Sequence, residues 1–260
     1  MIKMRGDVRI FGLKGFPLVK PGDDIADLVL MRARSLQIRI ADGDVLIVGH
    51  KIISKSEGRI ARLSGIRPSR CAVKIARRCM KDRRLVQLIL AESRRVLKVK
   101  PGILLVETRH GIVCLNAGID KSNVEGSDMY CLLPKNPKLS AARIAKRVLE
   151  RNGKRVEVVV TDTYSRPFRV GQCEFAIGAS GVDPFVDYRG TRDLFGNVLK
   201  FKRILIADEL ACAGELVMGQ GAEGIPVAII KGANRIGTSN RNVGSRLTME
   251  RGRDLFRGAL

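Results

Sequence analysis

Three stretches of the chain collect side chains able to hold a cation or neutralise an anion. The first is Val158-Val159-Val160-Thr161-Asp162-Thr163, continuing through Arg166-Pro167 to Arg169. The second runs from Asn116 to Asn123 and contains Asp120. The third, Gly219-Gln220-Gly221-Ala222-Glu223-Gly224, carries Gln220 and Glu223 between glycines. Carboxylates, hydroxyls and amides are hard oxygen donors. They suit magnesium or manganese, which keep some of their waters and bind phosphate oxygens. Lys51, Lys55, Arg109, Arg166 and Arg169 stand near predicted strand ends or turns, where a cation can neutralise phosphate or clamp a carboxylate. Plainer readings compete. Asp120 and Asp162 also suit Asx turns or caps, which spacing alone favours, and each cation also suits a solvated face.

Several familiar chemistries are excluded by spacing. Gly219, Gly221 and Gly224 match GxGxxG, but they follow a predicted helix and precede a predicted strand, the reverse of the dinucleotide fingerprint. No GxxxxGK[ST] occurs, so a bound nucleotide is not held by a Walker loop, and there is no nucleophile elbow. The cysteines at 71, 79, 114, 131, 173 and 212 include no CxxC pair. His50 and His110 have no partner at metal-ligand spacing, so no zinc site is expected. His110 reads as a turn residue.

Stepping from residues to elements, Val158 to Val160 is a β-branched run that reads as a buried strand, with Asp162 at its end. Further strands are predicted at Val8–Gly12, Val45–Val48 and Pro226–Lys231. Ile103–Glu107 and Ile112–Asn116 form a hairpin around Arg109-His110-Gly111, and Gly171–Ile177 is a strand before a loop, Gly178-Ala179-Ser180-Gly181. Helices are predicted after Asp23 or Asp24, over Arg70–Met80, over Arg83–Val96 after an Asp82 cap, and over Ala207–Met218. Another runs from a Ser140 cap to Arg151, closed by Gly153. Asp187–Gly190 and Asp193–Gly196 are turns, and a short helix is expected near Leu255. Irregular alternation of strands and helices predicts a mixed α/β (α+β) fold. Residues 1–237 form one unit without an internal boundary, and 238–260 form a basic tail belonging to it.

The chain has 260 residues, 45 % of them hydrophobic, enough for a sizeable core. Lys and Arg number 48 against 26 Asp and Glu, a net charge of +22, which calls for an anionic partner. Aromatics are 4 %, too few for the stacking platforms of single-strand binders, so nucleic acid is the less favoured class of partner. No apolar run is long enough to span a membrane, and the N-terminus lacks the apolar core of a signal peptide. With scattered thiols, this points to a reducing cytoplasm.

Six segments, taken in order, resemble one known family. They are Gly15–Val19 with Pro21–Asp24, Lys51–Gly58, Asn116–Asn123, Thr161–Thr163 with Arg166-Pro167 and Arg169, Ala207–Ala211, and Met218–Gln220 with Gly224–Pro226. Their order and spacing resemble the coenzyme F-420:L-glutamate ligases, also called F-420-0 gamma-glutamyl ligases. The resemblance spans residues 8 to 235. It implies a mixed-sheet fold peculiar to the family, neither Rossmann nor P-loop, and a homodimer. It also implies an enzyme that uses GTP to join L-glutamate to the carboxylate of the deazaflavin precursor F-420-0, with a second γ-linked glutamate possible. Two divalent cations, Mg2+ or Mn2+, are implied, the first held by Asp120 and Asp162, the second by Thr163 and Gln220. GTP contacts are implied at Phe16, Pro17, Leu18, Val19, His50, Lys51, Lys55 and Asn123, and along Met218, Gly219, Gln220, Gly221, Ala222, Glu223, Gly224 and Ile225. Family members can carry an acid in place of Gln220, and a neutral amide there holds a cation less firmly.

The implied chemistry agrees with the donor set. A carboxylate does not condense with an amine at neutral pH, because its oxygen leaves poorly. Transfer of the γ-phosphoryl group to that carboxylate creates an acyl phosphate that the amine of glutamate can attack. Such transfer rests on positioning and charge neutralisation. Arg166 and Arg169 are candidate contacts for substrate anions. Two other readings stand beside this one: an amide ligase of the same fold with a different carboxylate acceptor, and a basic nucleic-acid-binding protein.

Overall fold

A computed structural model describes residues 7–233 and 247–254. In chain order the elements are β1 (Arg9–Gly12), α1 (Ile25–Ser35), β2 (Val45–Gly49), α2 (His50–Ser56), β3 (Ile60–Arg62), α3 (Arg70–Cys79) and α4 (Arg83–Ala91). Then come β4 (Ser93–Lys100), β5 (Ile103–Thr108), β6 (Val113–Leu115), β7 (Met129–Cys131) and α5 (Pro137–Asn152). The chain continues with β8 (Glu157–Ser165), β9 (Gln172–Ser180), β10 (Phe185–Asp187), β11 (Arg203–Leu205), α6 (Ile206–Met218) and β12 (Val227–Lys231). The class is mixed α/β, as the sequence predicts.

The central sheet has the order β1-β12-β2-β8-β9. Only β2 and β8 run parallel, and the other neighbours are antiparallel. Side chains alternate across such a sheet, so each strand feeds two cores. Leu46, Val48, Val158, Val160 and Ile229 face α1 and α5. Val45, Ile47, Val159, Ala228 and Ile230 face α6. Both faces being covered explains why Val45–Val48 and Val158–Val160 read as unbroken apolar runs. The small residues of α6 let it lie close on the sheet: a Cβ at Gly214 would stand 2.7 Å from Ile47. A third core, with Ala72, Ala76 and Cys79 of α3, Val86 and Ile89 of α4, and Leu104 and Val106 of β5, forms a separate lobe.

Four local expectations are corrected. The helix after Asp82 stops at Ala91, and Arg94 to Lys100 lie in β4, which pairs with β5. The expected hairpin is therefore two strands of a three-stranded sheet, β4-β5-β6. The α5 cap is Asn136, whose side chain accepts from Leu139 N, with Pro137 in the first turn. Ser140 is buried inside the helix, its Oγ donating to Glu57 Oε1 at 2.5 Å. Gly178-Ala179-Ser180 is strand rather than loop, and the glycine has a packing reason: a Cβ at Gly178 would lie 2.5 Å from the Pro137 backbone. Asp162 does not end its strand, since β8 runs on to Ser165 after a register shift between Val160 and Thr161. The helix expected near Leu255 lies outside the described residues.

Candidate active site

The loop after β1, the start of α2, the turn after β6, the outer half of β8 and the loop after α6 together line one cleft of about 1610 Å³. That is larger than a single small-molecule pocket of roughly 300–1,000 Å³, and leaves room for a nucleotide beside a second substrate. Asp120, Asp162, Thr163, Gln220, Arg166, Phe16 to Val19, His50, Lys51, Lys55, Asn123 and the whole Met218–Ile225 loop line it. Residues as far apart in the chain as Phe16 and Ile225 thus line one cleft. Arg169 and Arg109 do not line it, and His110 sits in a turn whose Nε2 contacts Lys135 O at 3.0 Å.

On one wall, Lys51 and Lys55 rise from α2 toward the loop around Asp120. Lys51 Nζ lies 2.6 Å from Asp120 Oδ2 and donates to Ser122 Oγ at 2.5 Å. Asp120 Oδ1 accepts from Ser122 N at 3.0 Å, so the Asx turn forms, and the same carboxylate lines the cleft. Burial works to raise the Asp120 carboxyl, but hydrogen bonds from Lys51 and Ser122 outweigh it and hold the group at about 2. Lys55 Nζ donates to Asn123 O at 2.7 Å, and Asn123 Nδ2 donates to Gly221 O at 3.2 Å, tying this wall to the glycine loop. His50 is almost fully buried. Its Nε2 lies 3.3 Å from Asp162 Oδ1 without hydrogen-bond alignment.

The other wall follows from β-sheet register. Thr163 on β8 stands opposite Glu174 on β9, and Thr163 Oγ1 donates to Glu174 Oε2 at 3.0 Å. Gln220 Nε2 donates to the same Oε2 at 3.2 Å and to Glu215 Oε1 at 2.8 Å. Burial pushes the carboxyls of both Glu174 and Glu215 upward. With its NH2 group turned onto two carboxylate side chains, the Gln220 amide carries its carbonyl oxygen on the opposite side. Glu223 Oε2 accepts from Gly221 N at 2.7 Å and braces the loop.

Sequence reasoning missed Glu174 and Glu215. Neither stands out in the sequence: Glu174 is an isolated acid within Cys173–Ile177, and Glu215 is one of three acids, with Asp208 and Glu209, in Ala207–Met218.

The donor set suits a hard cation. Every candidate ligand offers oxygen, and Glu215 Oε2 is a buried oxygen with no hydrogen-bond partner. Among the described residues no three His, Cys, Asp or Glu side chains form a closed metal cage. An open arrangement matches magnesium, which takes one or two carboxylates and completes its shell with phosphate oxygens and water. Lys51 Nζ against Asp120 marks where the site already places positive charge.

The chain is similar to proteins of one family. The family model described as F420-0:Gamma-glutamyl ligase matches residues 14–232. The chain is 46 % identical over 230 residues to the coenzyme F420:L-glutamate ligase of Archaeoglobus fulgidus, covering 88 % of this chain and 90 % of that one. It is 43 % identical over 225 residues to the enzyme of the same name from Methanothermobacter thermautotrophicus, covering 86 % and 89 %. Against the Methanocaldococcus jannaschii enzyme of that name the identity is 42 % over 234 residues, covering 90 % and 91 %. On the matched span and these identities, the chain belongs to the F420-0:gamma-glutamyl ligase family.

Proposed function

We propose that the chain joins L-glutamate to the carboxylate of the deazaflavin precursor F420-0, driven by GTP and two divalent cations, Mg2+ or Mn2+. The observation that carries this reading is the gathering of Asp120, Asp162, Thr163 and Gln220 with Lys51, Lys55 and the glycine loop in one cleft, in a chain of this family. The loop Phe16–Val19 and the loop Met218–Ile225 embrace the nucleotide, and Lys51 and Lys55 face its phosphates. Asp120 and Asp162 hold the first cation, Thr163 and Gln220 the second. When bound, these ions neutralise phosphate oxygens and the charge that develops during transfer.

The acceptor carboxylate attacks the γ-phosphorus, its oxygen–phosphorus bond forms as the bond to GDP breaks, and an acyl phosphate results. The free amine of glutamate then attacks the acyl carbon, and inorganic phosphate leaves with the electron pair. The side chains on both walls are fixed by hydrogen bonds before substrate arrives, so little reorganisation accompanies the reaction. Arg166, which lines the cleft and contacts Cys173 Sγ, is placed to meet a substrate carboxylate. A second glutamate can be added through a γ-linkage by the same steps.

The working unit is a homodimer in the cytoplasm. The connection between β10 and β11 supports the dimer: Leu194, Phe195 and Phe201 there are almost wholly exposed, and large apolar side chains grouped on a surface mark protein contacts. The overall reading is tested with purified protein, GTP, Mn2+, L-glutamate and the precursor, measuring GDP and the amide product by mass. Amide formed only when GTP and metal are both present supports it, and amide formed without GTP overturns it.

A further inference from the structure

Between Arg59 and Lys100 the chain has fourteen Lys and Arg against two acids, Asp82 and Glu92. Both acids are consumed locally, Asp82 by capping α4 and pairing with Arg84, Glu92 by pairing with Arg59. This segment supplies α3, α4 and β4 of the separate lobe, and none of its residues lines the catalytic cleft.

The cations of α3 share one side. At 100° per residue, Arg70, Lys74, Arg77 and Arg78 fall within an arc of about 100°. All four are exposed, while Ala72, Ala76 and Cys79 on the opposite side are buried in the lobe's core. None of the four makes a side-chain hydrogen bond or ion pair among the described residues. Like charges spaced three and four apart on a helix repel and destabilise it, so the stripe is held against its own electrostatics.

Elsewhere the surface is built differently. On α5, Lys146 and Arg147 pair with Glu150, Arg147 also reaches Asp24, and Arg151 reaches Asp27. Unlike α5, which carries Glu150, α3 has no acid of its own, so its four cations form an unbroken stripe. β4, the outer strand of its sheet, packs against α3, and its Arg94 and Arg95 are exposed.

We propose that α3 and β4 form a docking surface for a nucleic-acid duplex, held through its phosphate backbone. Arg70, Lys74 and Arg78 are spaced about 6 Å apart along the helix axis, and a duplex carries one phosphate per roughly 1.7 Å of its axis, so the stripe can face several phosphates at once. Arginine dominates the stripe, and its planar fork matches phosphate oxygens. The lobe offers no exposed aromatic ring, which sets single-strand stacking aside. Nothing in the stripe reads base edges, so binding is independent of sequence and steep in salt.

The test is fluorescence anisotropy of a labelled DNA duplex of mixed sequence, titrated with the full chain across a salt series. Three variants are compared: Arg70, Lys74, Arg77 and Arg78 all changed to Ser; a charge-matched control with Arg34, Arg39, Arg143 and Lys146 changed to Ser; and a stripe whose three arginines are changed to Lys. The stripe variant should weaken binding at least tenfold and flatten the slope of log affinity against log salt by two or more, since each phosphate contact contributes about 0.9. The control should bind nearly as the parent does, and an all-Lys version of the stripe should retain binding. The amide-forming assay should be unchanged in all three variants, and each should keep a cooperative melting transition. Equal loss in the stripe and control variants would show diffuse attraction by net charge and overturn the proposal. Absence of salt-steep binding by the parent chain, or tighter binding to vesicles of anionic lipid than to the duplex, would overturn it as well.

Discussion

At the residue scale, the cleft is organised by pairs in which one partner prepares the other. Lys51 keeps Asp120 ionised, and Glu174 with Glu215 turns the Gln220 amide. Asp162 lies between His50 and Thr163, its Oδ1 accepting from Thr163 N at 2.9 Å. Asp162→Asn keeps the shape and removes the charge. It should lower glutamate ligation by about 100-fold or more, the scale of losing a preorganised electrostatic partner, with an unchanged melting temperature. Undiminished turnover would remove Asp162 from the metal-binding role. Asp120, Asp162 and Gln220 stand out in the sequence because each interrupts or follows an apolar run with polar atoms, but spacing alone favours caps or turns for the two acids, and the metal role comes from the family resemblance. Glu174 does not stand out, because an isolated acid in a strand reads as solvent-facing until the register shows it opposite Thr163 and under the Gln220 loop.

At the element scale, the central strands and α6 could be read from apolar runs and small residues, because burial on both faces leaves no alternative pattern. The lobe could not. Leu85, Leu88, Ile89 and Val96 satisfy helical spacing, yet Glu92 N closes α4 by bonding back to Leu88 and Ile89, and pairing with β5 makes the next residues a strand. Long-range pairing overrode local periodicity. β8 carries its own pH signature. Glu157, its first residue, is buried, and desolvation pushes its carboxyl up to about 7 from 4.5. Between those values the folded chain holds a proton that the unfolded chain has released. Stability therefore falls as pH rises from 4.5 through 7, and the penalty is complete above 7. Glu157→Gln should stabilise the fold by about 1–3 kcal/mol at pH 8 and by much less at pH 5, read from urea midpoints. Equal effects at both pH values would contradict this.

At the scale of the whole molecule, a net charge of +22 serves two ends. Around the cleft it favours anionic substrates, and on α3 Arg70, Lys74, Arg77 and Arg78 make no side-chain hydrogen bond or ion pair among the described residues. The exposed arm between β10 and β11 is the third large-scale feature. Phe195→Glu should shift light-scattering mass from dimer to monomer, and an unshifted dimer would place the interface elsewhere. Activation of a carboxylate by phosphoryl transfer in the cleft is read out by following an atom. With heavy-oxygen label in the acceptor carboxylate, each turnover should deliver one labelled oxygen into the released phosphate alongside one GDP. Amide formed with unlabelled phosphate would contradict the account.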